Sequence, residues 1–161
     1  MEELTKKLVG WIKTQVQSAE CSGAVLGLSG GIDSAVVAVL CKKAFPQTTL
    51  GVMLPCHSSQ ADMADAQALA DKFDIKTTTV VLDSIYDSLT ADIELDNVAD
   101  ENRQKLAQAN LKPRLRMTSL YYIANQLGYL VVGTSNKSEL TVGYYTKYGD
   151  GGSDIIPMGN L

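Results

Sequence analysis

The sequence contains few of the residues that build disulfide frameworks or zinc sites. It has one histidine and three cysteines, the latter at positions 21, 41 and 56. An odd number of cysteines without CxxC spacing argues against both kinds of site, so we expect reduced thiols in a cytoplasmic protein. The chain also lacks an apolar run long enough to cross a bilayer and an N-terminal signal-peptide core. We therefore expect no membrane contact.

An excess of basic residues is missing as well. The 161 residues include 14 lysines and arginines against 18 aspartates and glutamates, which gives a net charge of −4. Broad nucleic-acid binding needs a basic face, so we expect no nucleic-acid partner. A small phosphorylated ligand is compatible with this charge, because a local site can be positive within a negative protein. The length favours one domain over residues 1–161.

Short apolar runs alternate along the chain with segments of helical periodicity. The runs predict strands at residues 24–28, 50–54, 77–82 and 129–132, with amphipathic helices between them. Pro113 is expected in the first turn of the helix before the last strand, and the polar stretch 83–110 shows only weak helical character. Solidly apolar strands that alternate with helices indicate an α/β fold, a doubly wound parallel sheet with helices on both faces.

A glycine-rich turn at residues 27–34 joins the first predicted strand to a helix. Glycines let the backbone approach a ligand, and the helix start offers free N–H groups to phosphate oxygens, as do the hydroxyls of Ser29 and Ser34. The carboxylate of Asp33 would repel phosphates unless a cation such as Mg²⁺ lay between them. The GxxxxGK(S/T) and GxGxxG patterns of two commoner nucleotide loops are absent. A tight turn without a ligand is the alternative interpretation.

The string Ser-Gly-Gly-Ile-Asp-Ser at residues 29–34 resembles the SGGxDS loop of the ATP pyrophosphatase superfamily. This superfamily includes NAD synthetases, GMP synthetases, asparagine synthetases and tRNA-thiolating enzymes. The resemblance implies an adenine nucleotide alpha hydrolase-like fold and cleavage of ATP between its α and β phosphates, with pyrophosphate held in this loop. The loop alone does not identify the substrate that is adenylated.

A second group of polar residues follows the fourth predicted strand. The carboxyl ends of parallel strands share one edge of a sheet, so Glu139 is expected near Asp33, where two carboxylates can surround one Mg²⁺. Beyond it, Gly-Tyr-Tyr-Thr-Lys-Tyr-Gly-Asp-Gly-Gly-Ser-Asp at residues 143–154 is similar to the signature of NAD synthetases. Asn-Leu-Lys-Pro-Arg-Leu-Arg-Met at residues 110–117 also matches that family.

The resemblance to NAD synthetases implies a role for each matching residue. Asp33 and Glu139 would be magnesium ligands, and no residue is assigned as a general acid or base. The residues expected to bind ATP are Gly27, Leu28, Ser29, Gly30, Gly31, Ile32, Asp33, Ser34 and Thr134. Those expected to bind deamido-NAD are Arg114, Lys147 and Asp154, of which the two cations suit an anionic dinucleotide.

The implied reaction converts deamido-NAD to NAD. The nicotinate carboxylate attacks the α-phosphorus of ATP, giving an acyl adenylate and pyrophosphate, and ammonia then displaces AMP. Ammonia is the expected nitrogen donor because no glutaminase domain lies within the chain, and the resemblance also implies a homodimer. Family members continue beyond the position of Leu161 with further phosphate-contacting residues. We therefore expect these 161 residues alone to be weakly active or inactive.

Three other interpretations stay open from the sequence. The chain could be another SGGxDS adenylating enzyme, such as a GMP synthetase-like protein, a non-catalytic nucleotide-binding fragment, or a flavodoxin-like domain that binds some other phosphate. His57 and Cys56 follow the second predicted strand on the same edge as the glycine-rich turn. We expect neither to be catalytic, because no partner acid is apparent in the sequence.

Overall fold

The computed structural model describes residues 1–93 and 100–161. Along the chain the helices and strands alternate, except that two consecutive helices precede the last strand. The elements are α1 (Glu2–Ser18), β1 (Gly23–Leu28), α2 (Ile32–Ala44), β2 (Thr49–Met53), α3 (Gln60–Phe73), β3 (Lys76–Thr79), α4 (Asp83–Asp92), α5 (Glu101–Leu127), β4 (Tyr129–Val131) and α6 (Lys137–Val142). Among the described residues, no helix is both long and apolar enough to cross a membrane.

The four strands form one parallel sheet in the order β3-β2-β1-β4. The predicted α/β class with a doubly wound parallel sheet is therefore confirmed. The sheet pairing of β4 ends at Val25↔Val131, whereas β2 accompanies β1 as far as Leu28↔Met53. The last residues of β1 thus have a strand partner on one side only. Ligands of such sheets bind in the crevice at this point, where the strand order reverses.

Alternate side chains of the strands enter two separate cores. Leu26 and Leu28 pack with residues of α1, α2 and α3 on one face of the sheet. Val25 and Val52 pack with residues of α4 and α5 on the other face. Because successive side chains of a strand point in opposite directions, one apolar strand supplies both cores. Strand β3 is mostly exposed and forms one edge of the sheet.

The position of Pro113 corrects one prediction. Pro113 does not open a helix but lies inside the 27-residue helix α5, which starts at Glu101. The helix begins earlier because Asp100 caps it, accepting a hydrogen bond from the N–H of Asn102 at 2.9 Å, and because the residues before Pro113 are mostly good helix formers. The prediction of weak helical character over residues 83–110 was too cautious for α4 and α5, and its residues 94–99 lie outside the described residues.

The packing around two glycines generates a stability prediction. A Cβ added to Gly23, at the start of β1, would lie 2.2 Å from the carbonyl oxygen of Thr48 and 2.8 Å from the ring of Tyr129. We expect Gly23→Ala to lower the free energy of unfolding by about 1–3 kcal/mol, because backbone must shift to admit the methyl group. Urea denaturation measures this difference.

The matched control for that substitution is Gly10→Ala. Gly10 lies inside α1, and a Cβ added there meets nothing within 4 Å. The same change should raise the free energy of unfolding by about 0.5–1 kcal/mol, because alanine loses less backbone entropy in a helix. Equal effects of the two substitutions would contradict the packing described at Gly23.

Candidate functional site

The turn between β1 and α2 has a backbone conformation that favours glycine. Gly30 has a φ of +81°, and a Cβ added to it would lie 2.5 Å from the carbonyl oxygen of Asp62 in the first turn of α3. A side chain at this position would therefore be strained both by its backbone angle and by the neighbouring helix. The turn lies close against α3 and bends sharply at Gly30, and the predicted approach of its backbone to a ligand stays a prediction.

Two serine hydroxyls fix the shape of the same turn. The hydroxyl of Ser34, only 4% exposed, donates to the carbonyl of Gly31 at 2.9 Å and accepts from the N–H of Ser29 at 3.3 Å. The hydroxyl oxygens of Ser29 and Ser34 lie 3.0 Å apart. Both were predicted as donors to a ligand. The Ser34 hydroxyl instead makes its hydrogen bonds within the protein, and the exposed Ser29 is the better placed of the two to contact a ligand.

The N-terminus of α2 has no side-chain cap, because its N-cap residue is Gly31. The N–H groups of the first turn, which lack an intrahelical acceptor in any helix, therefore receive no hydrogen bond from a capping side chain, and they carry the positive end of the helix dipole. Asp33 lies in this first turn and places a carboxylate beside those N–H groups. The combination suits a phosphate group that is accompanied by a cation.

Asn136 connects the two carboxylates that the sequence placed together. Its side-chain amide donates to Asp33 at 3.4 Å. It also caps α6, because its Oδ1 accepts from the N–H of Glu139 at 3.0 Å while the Glu139 carboxylate accepts from the N–H of Asn136 at 3.1 Å. This reciprocal capping box fixes the backbone on which Glu139 is mounted. Asp33 and Glu139 consequently face the same pocket.

We call this space, of about 190 Å³, the loop pocket. It is lined by Ser29, Gly31, Ile32, Asp33, Ser34, Thr134, Ser135, Glu139 and Asp150. In residues 1–93 and 100–161, no three histidine, cysteine or carboxylate side chains lie close enough to form a complete metal centre. Two carboxylates with hydroxyls around them do suit Mg²⁺, which takes one or two protein carboxylates and completes its shell with phosphate oxygens and water.

A larger space, which we call the main cavity, adjoins the loop pocket and measures about 390 Å³. Its apolar wall comes from β2, β4 and α5 and includes Val52, Leu54, Met117, Leu120 and Val131. Ser29, Thr134 and Asp150 line both spaces. An apolar cavity of this size with a few polar groups is typical of a site for a flat organic ligand. A ligand could extend from the main cavity past Thr134 into the loop pocket.

Arg114 and Lys147, two of the predicted dinucleotide ligands, lie together outside both spaces. Nε of Arg114 donates to the carbonyl of Lys147 at 3.2 Å, and both side chains are exposed. The Lys147 ammonium lies 4.9 Å from the centroid of the Tyr148 ring, within the range of a cation–π contact. The structure thus brings these two cations to one surface beside the main cavity.

Asp154, the third predicted dinucleotide ligand, is separate from that pair. Its carboxylate accepts from the N–H of Val131 at 2.8 Å and from the hydroxyl of Tyr121 at 2.9 Å. Burial and, secondarily, this hydrogen bond raise the pKa of Tyr121 to about 12, because both disfavour the phenolate. Asp154 therefore fastens the segment after α6 to β4 and α5.

His57 has a partner that the sequence did not reveal. Its Nε2 lies 2.8 Å from a carboxylate oxygen of Asp87 in α4, and its ring packs edge-on against Tyr86. The structure thus supplies a partner acid that was not apparent in the sequence, and the absence of a catalytic role for His57 stays a prediction. Asp87 lies 30 residues further along the chain, on the stretch whose helical character was underestimated. Cys56 is buried, and burial raises the pKa of its thiol, which is unfavourable for a nucleophile.

Sequence reasoning also missed three charged residues that line the main cavity. These are Asp62, Arg116 and Asp150. Arg116 and Asp150 stand within the two strings that resemble the NAD synthetases, but a string does not show which of its residues faces a cavity. Asp62 was interpreted only as part of the start of α3, where Ser59 does accept a hydrogen bond from its N–H at 3.2 Å.

Comparisons with known proteins connect this site to one family. The family model described as NAD synthase matches residues 4–161. A curated protein from Carboxydothermus hydrogenoformans, named NH(3)-dependent NAD(+) synthetase, is 51% identical over 160 residues. The match covers 99% of this chain and 65% of that protein, so this chain spans less than two thirds of that relative's length.

Two solved structures agree with the fold across nearly the whole chain. The NH3-dependent NAD synthetase of Campylobacter jejuni gives a TM-score of 0.89 at 35% identity, covering 99% of this chain and 67% of the other. The NMN synthetase of Francisella tularensis gives a TM-score of 0.88 at 36% identity, covering 99% and 65%. These likenesses favour the NAD synthetase interpretation over a GMP synthetase-like protein.

The hydrogen bonds of Asp154 generate a second stability prediction. Asp154→Ala leaves the N–H of Val131 and the Tyr121 hydroxyl without their acceptor, so we expect the free energy of unfolding to fall by about 1–3 kcal/mol. Tyr121→Phe removes only one of these bonds and should cost about 0.5–1.5 kcal/mol. Urea denaturation of both variants measures the difference. A neutral Asp154→Ala would show that the carboxylate does not fasten this segment.

Proposed function

This chain belongs to the NAD synthase family, and we propose that it forms the ATP-binding part of an enzyme that amidates deamido-NAD to NAD. ATP activates the nicotinate carboxylate in this proposal, and ammonia supplies the nitrogen. The name of the Carboxydothermus relative, an NH(3)-dependent NAD(+) synthetase, supports ammonia as the donor. The arrangement that carries the proposal is the loop pocket, in which Asp33 and Glu139 face the free N–H groups at the start of α2.

The loop pocket has the chemistry required to hold a polyphosphate. The uncapped first turn of α2 offers backbone N–H groups, and the exposed Ser29 lines the pocket. We assign the ATP phosphates to this pocket. The proposed ATP-binding residues remain Gly27, Leu28, Ser29, Gly30, Gly31, Ile32, Asp33, Ser34 and Thr134, of which Gly27 and Leu28 line the main cavity and Ser34 is kept on the family resemblance. Backbone donors that are already positioned need no reorganisation when charge develops on the departing pyrophosphate.

The residues of the loop pocket also fit a magnesium ion. We propose Asp33 and Glu139 as its ligands, because each has a carboxylate in the pocket and Asn136 fixes both by hydrogen bonds. Magnesium bound there would neutralise phosphate charge and favour attack at the α-phosphorus. The side-chain amide of Asn136 orients Asp33 and its backbone N–H orients Glu139, as partners of metal ligands generally do.

The main cavity suits the base and ribose of ATP. Its wall includes the apolar Leu54, Met117 and Leu120, and it shares the polar Ser29, Thr134 and Asp150 with the loop pocket. Burying a flat base against such a wall is favourable because apolar area leaves water. Thr134 lines both spaces, which supports a contact between Thr134 and the nucleotide where the sugar meets the phosphates.

We propose that deamido-NAD binds along the surface formed by Arg114 and Lys147. Both are exposed cations, and a planar guanidinium matches a pyrophosphate or a carboxylate through two parallel hydrogen bonds. Asp154 stays in this set on the family resemblance alone, because its carboxylate is already engaged by Val131 and Tyr121.

The proposed reaction has two steps. The nicotinate carboxylate attacks the α-phosphorus of ATP, so that a new carboxyl–phosphorus bond forms and pyrophosphate leaves. The nitrogen lone pair of ammonia then attacks the carbonyl carbon, and AMP leaves with the electron pair of the broken carbon–oxygen bond as the amide forms and a proton is released. Residues of the two spaces contribute mainly by holding the reactants in line and by stabilising phosphate charge.

Three further features belong to the proposal. We treat residues 1–161 as one domain. The N-terminal half of α5 projects exposed side chains such as Leu106, and Tyr122 is 65% exposed further along, which supports a homodimer formed through this helix. The three cysteines are free, which suits a cytoplasmic location.

The magnesium site generates a third prediction. Mg²⁺ should strengthen the binding of pyrophosphate to this chain, as measured by isothermal titration calorimetry with and without the ion. Asp33→Asn should reduce the increase in pyrophosphate affinity caused by Mg²⁺ by at least about tenfold. Changes even to the partners of metal ligands lower metal affinity by about 10–100-fold. Asp65→Asn, which alters an exposed carboxylate in α3, is the control and should bind like the unaltered chain. Pyrophosphate binding that does not depend on Mg²⁺ would contradict the proposed magnesium site.

Isotope transfer tests the reaction itself. With ATP, Mg²⁺, deamido-NAD and ¹⁵N-ammonium, we expect slow appearance of ¹⁵N in the amide of NAD, detected by mass spectrometry. The rate should be low, because the chain spans only 65% of its Carboxydothermus relative. Parallel reactions use nicotinate mononucleotide, since the Francisella structure is named NMN synthetase. Label in neither product, together with magnesium-independent pyrophosphate binding, would contradict an NAD synthetase.

A further inference from the structure

Arg116 joins α5 to the segment between β2 and α3. Nε of Arg116 donates to the carbonyl of Leu54 at 3.0 Å, and its Nη2 donates to the hydroxyl of Ser58 at 3.3 Å. Leu54 directly follows β2, and Ser58 directly precedes the N-cap residue of α3. One guanidinium group therefore spans residues 54–58, which we call the β2–α3 segment, and holds both ends to the same helix.

The β2–α3 segment adopts a conformation that needs such support. His57 has a φ of +50°, in the left-handed region that is uncommon for residues other than glycine. Helix α4 also holds the segment, because Asp83 accepts from the N–H of His57 at 2.7 Å and Asp87 contacts the His57 ring. Arg116 supplies the fastening on the cavity side, where Leu54, Pro55 and Ser58 form part of the wall.

The chemistry of Arg116 suits fastening better than direct binding of an anion. Two of its nitrogen atoms already donate to protein acceptors, and Asp62 and Asp150 line the same cavity. A rigid fork of donors can reach two acceptors at once, whereas the single ammonium of a lysine has no such geometry. The Ser58 hydroxyl extends the link, because it accepts from the N–H of Cys56 at 3.2 Å.

We propose that Arg116 is a positioning residue, which sets the affinity of the main cavity for the base and ribose of the adenine nucleotide by holding the β2–α3 segment in place. The proposal rests on the function proposed above. It separates the two spaces of the site, since Arg116 lines the main cavity and is absent from the lining of the loop pocket. Loss of Arg116 weakens the binding of the nucleoside part of the nucleotide and leaves the binding of its phosphates unchanged.

The test compares two ligands that report on the two spaces. AMP and pyrophosphate, each with Mg²⁺, are titrated into the unaltered chain and into Arg116→Met by calorimetry. The affinity for AMP should fall about tenfold, which corresponds to about 1.4 kcal/mol, while the affinity for pyrophosphate stays the same. An unaltered chain that binds neither ligand would refute the proposed function, an outcome distinct from failure of the Arg116 proposal.

Three further variants make the result specific. Arg103→Met changes an exposed arginine of the same helix and should leave both affinities unchanged. Arg116→Lys keeps the charge but loses the fork, so AMP binding should be only partly restored. Ser58→Ala removes one acceptor of Arg116 and should weaken AMP binding less than Arg116→Met does. If Arg116→Met does not fold, Ser58→Ala still tests the same link.

Three outcomes would overturn the positioning role. Equal weakening of AMP and pyrophosphate in Arg116→Met would mean that Arg116 acts on the phosphates or on the whole fold. Full recovery of AMP affinity in Arg116→Lys would mean that charge alone matters. Unchanged AMP affinity in both Arg116→Met and Ser58→Ala would mean that the β2–α3 segment does not need this fastening.

Discussion

The parallel pairing of β1 with β2 on one side and β4 on the other determines where every other part of the site lies. β4 leaves β1 at Val25, three residues before β1 ends. The chain that leaves β1 turns into α2, and the chain that leaves β4 continues towards Thr134 and α6. The segments that follow β1 and β4 lie next to each other at the carboxyl edge of the sheet, so residues more than 100 positions apart in sequence meet there. The Asp33–Asn136 hydrogen bond is the direct contact between these two segments.

This constraint explains how much of the fold and site the sequence could predict. The runs at 24–28, 50–54 and 129–132 identify strands because parallel strands are buried on both faces and contain consecutive apolar residues. Once the sheet is parallel, the loops after β1 and β4 share an edge, and the convergence of Asp33 and Glu139 follows from topology. The turn of Gly30 was predictable for a similar reason, since only local backbone sterics are involved.

Contacts that depend on the direction of a helix or on partners distant in sequence could not be predicted from the sequence. The interior position of Pro113 depends on a cap at Asp100, thirteen positions earlier. The His57–Asp87 pair depends on how α4 packs, and no local pattern indicates that Asp87 points towards the β2–α3 segment. Arg114 and Arg116 look equivalent in sequence. They are two residues apart, so they leave the helix on different faces, and one reaches Lys147 while the other reaches Leu54.

Asp154 shows why a family signature and a structural contact have to be separated. The string that ends at Asp154 is similar to the signature of the family, yet each oxygen of its carboxylate already accepts a hydrogen bond, one from the N–H of Val131 and one from the Tyr121 hydroxyl. A buried N–H without an acceptor costs about 1–3 kcal/mol, so a ligand that took the Asp154 carboxylate from Val131 would have to offset that cost. A ligand avoids this cost if it contacts the segment that Asp154 holds in place. A signature residue then contributes to the site by positioning backbone, without contacting the ligand itself.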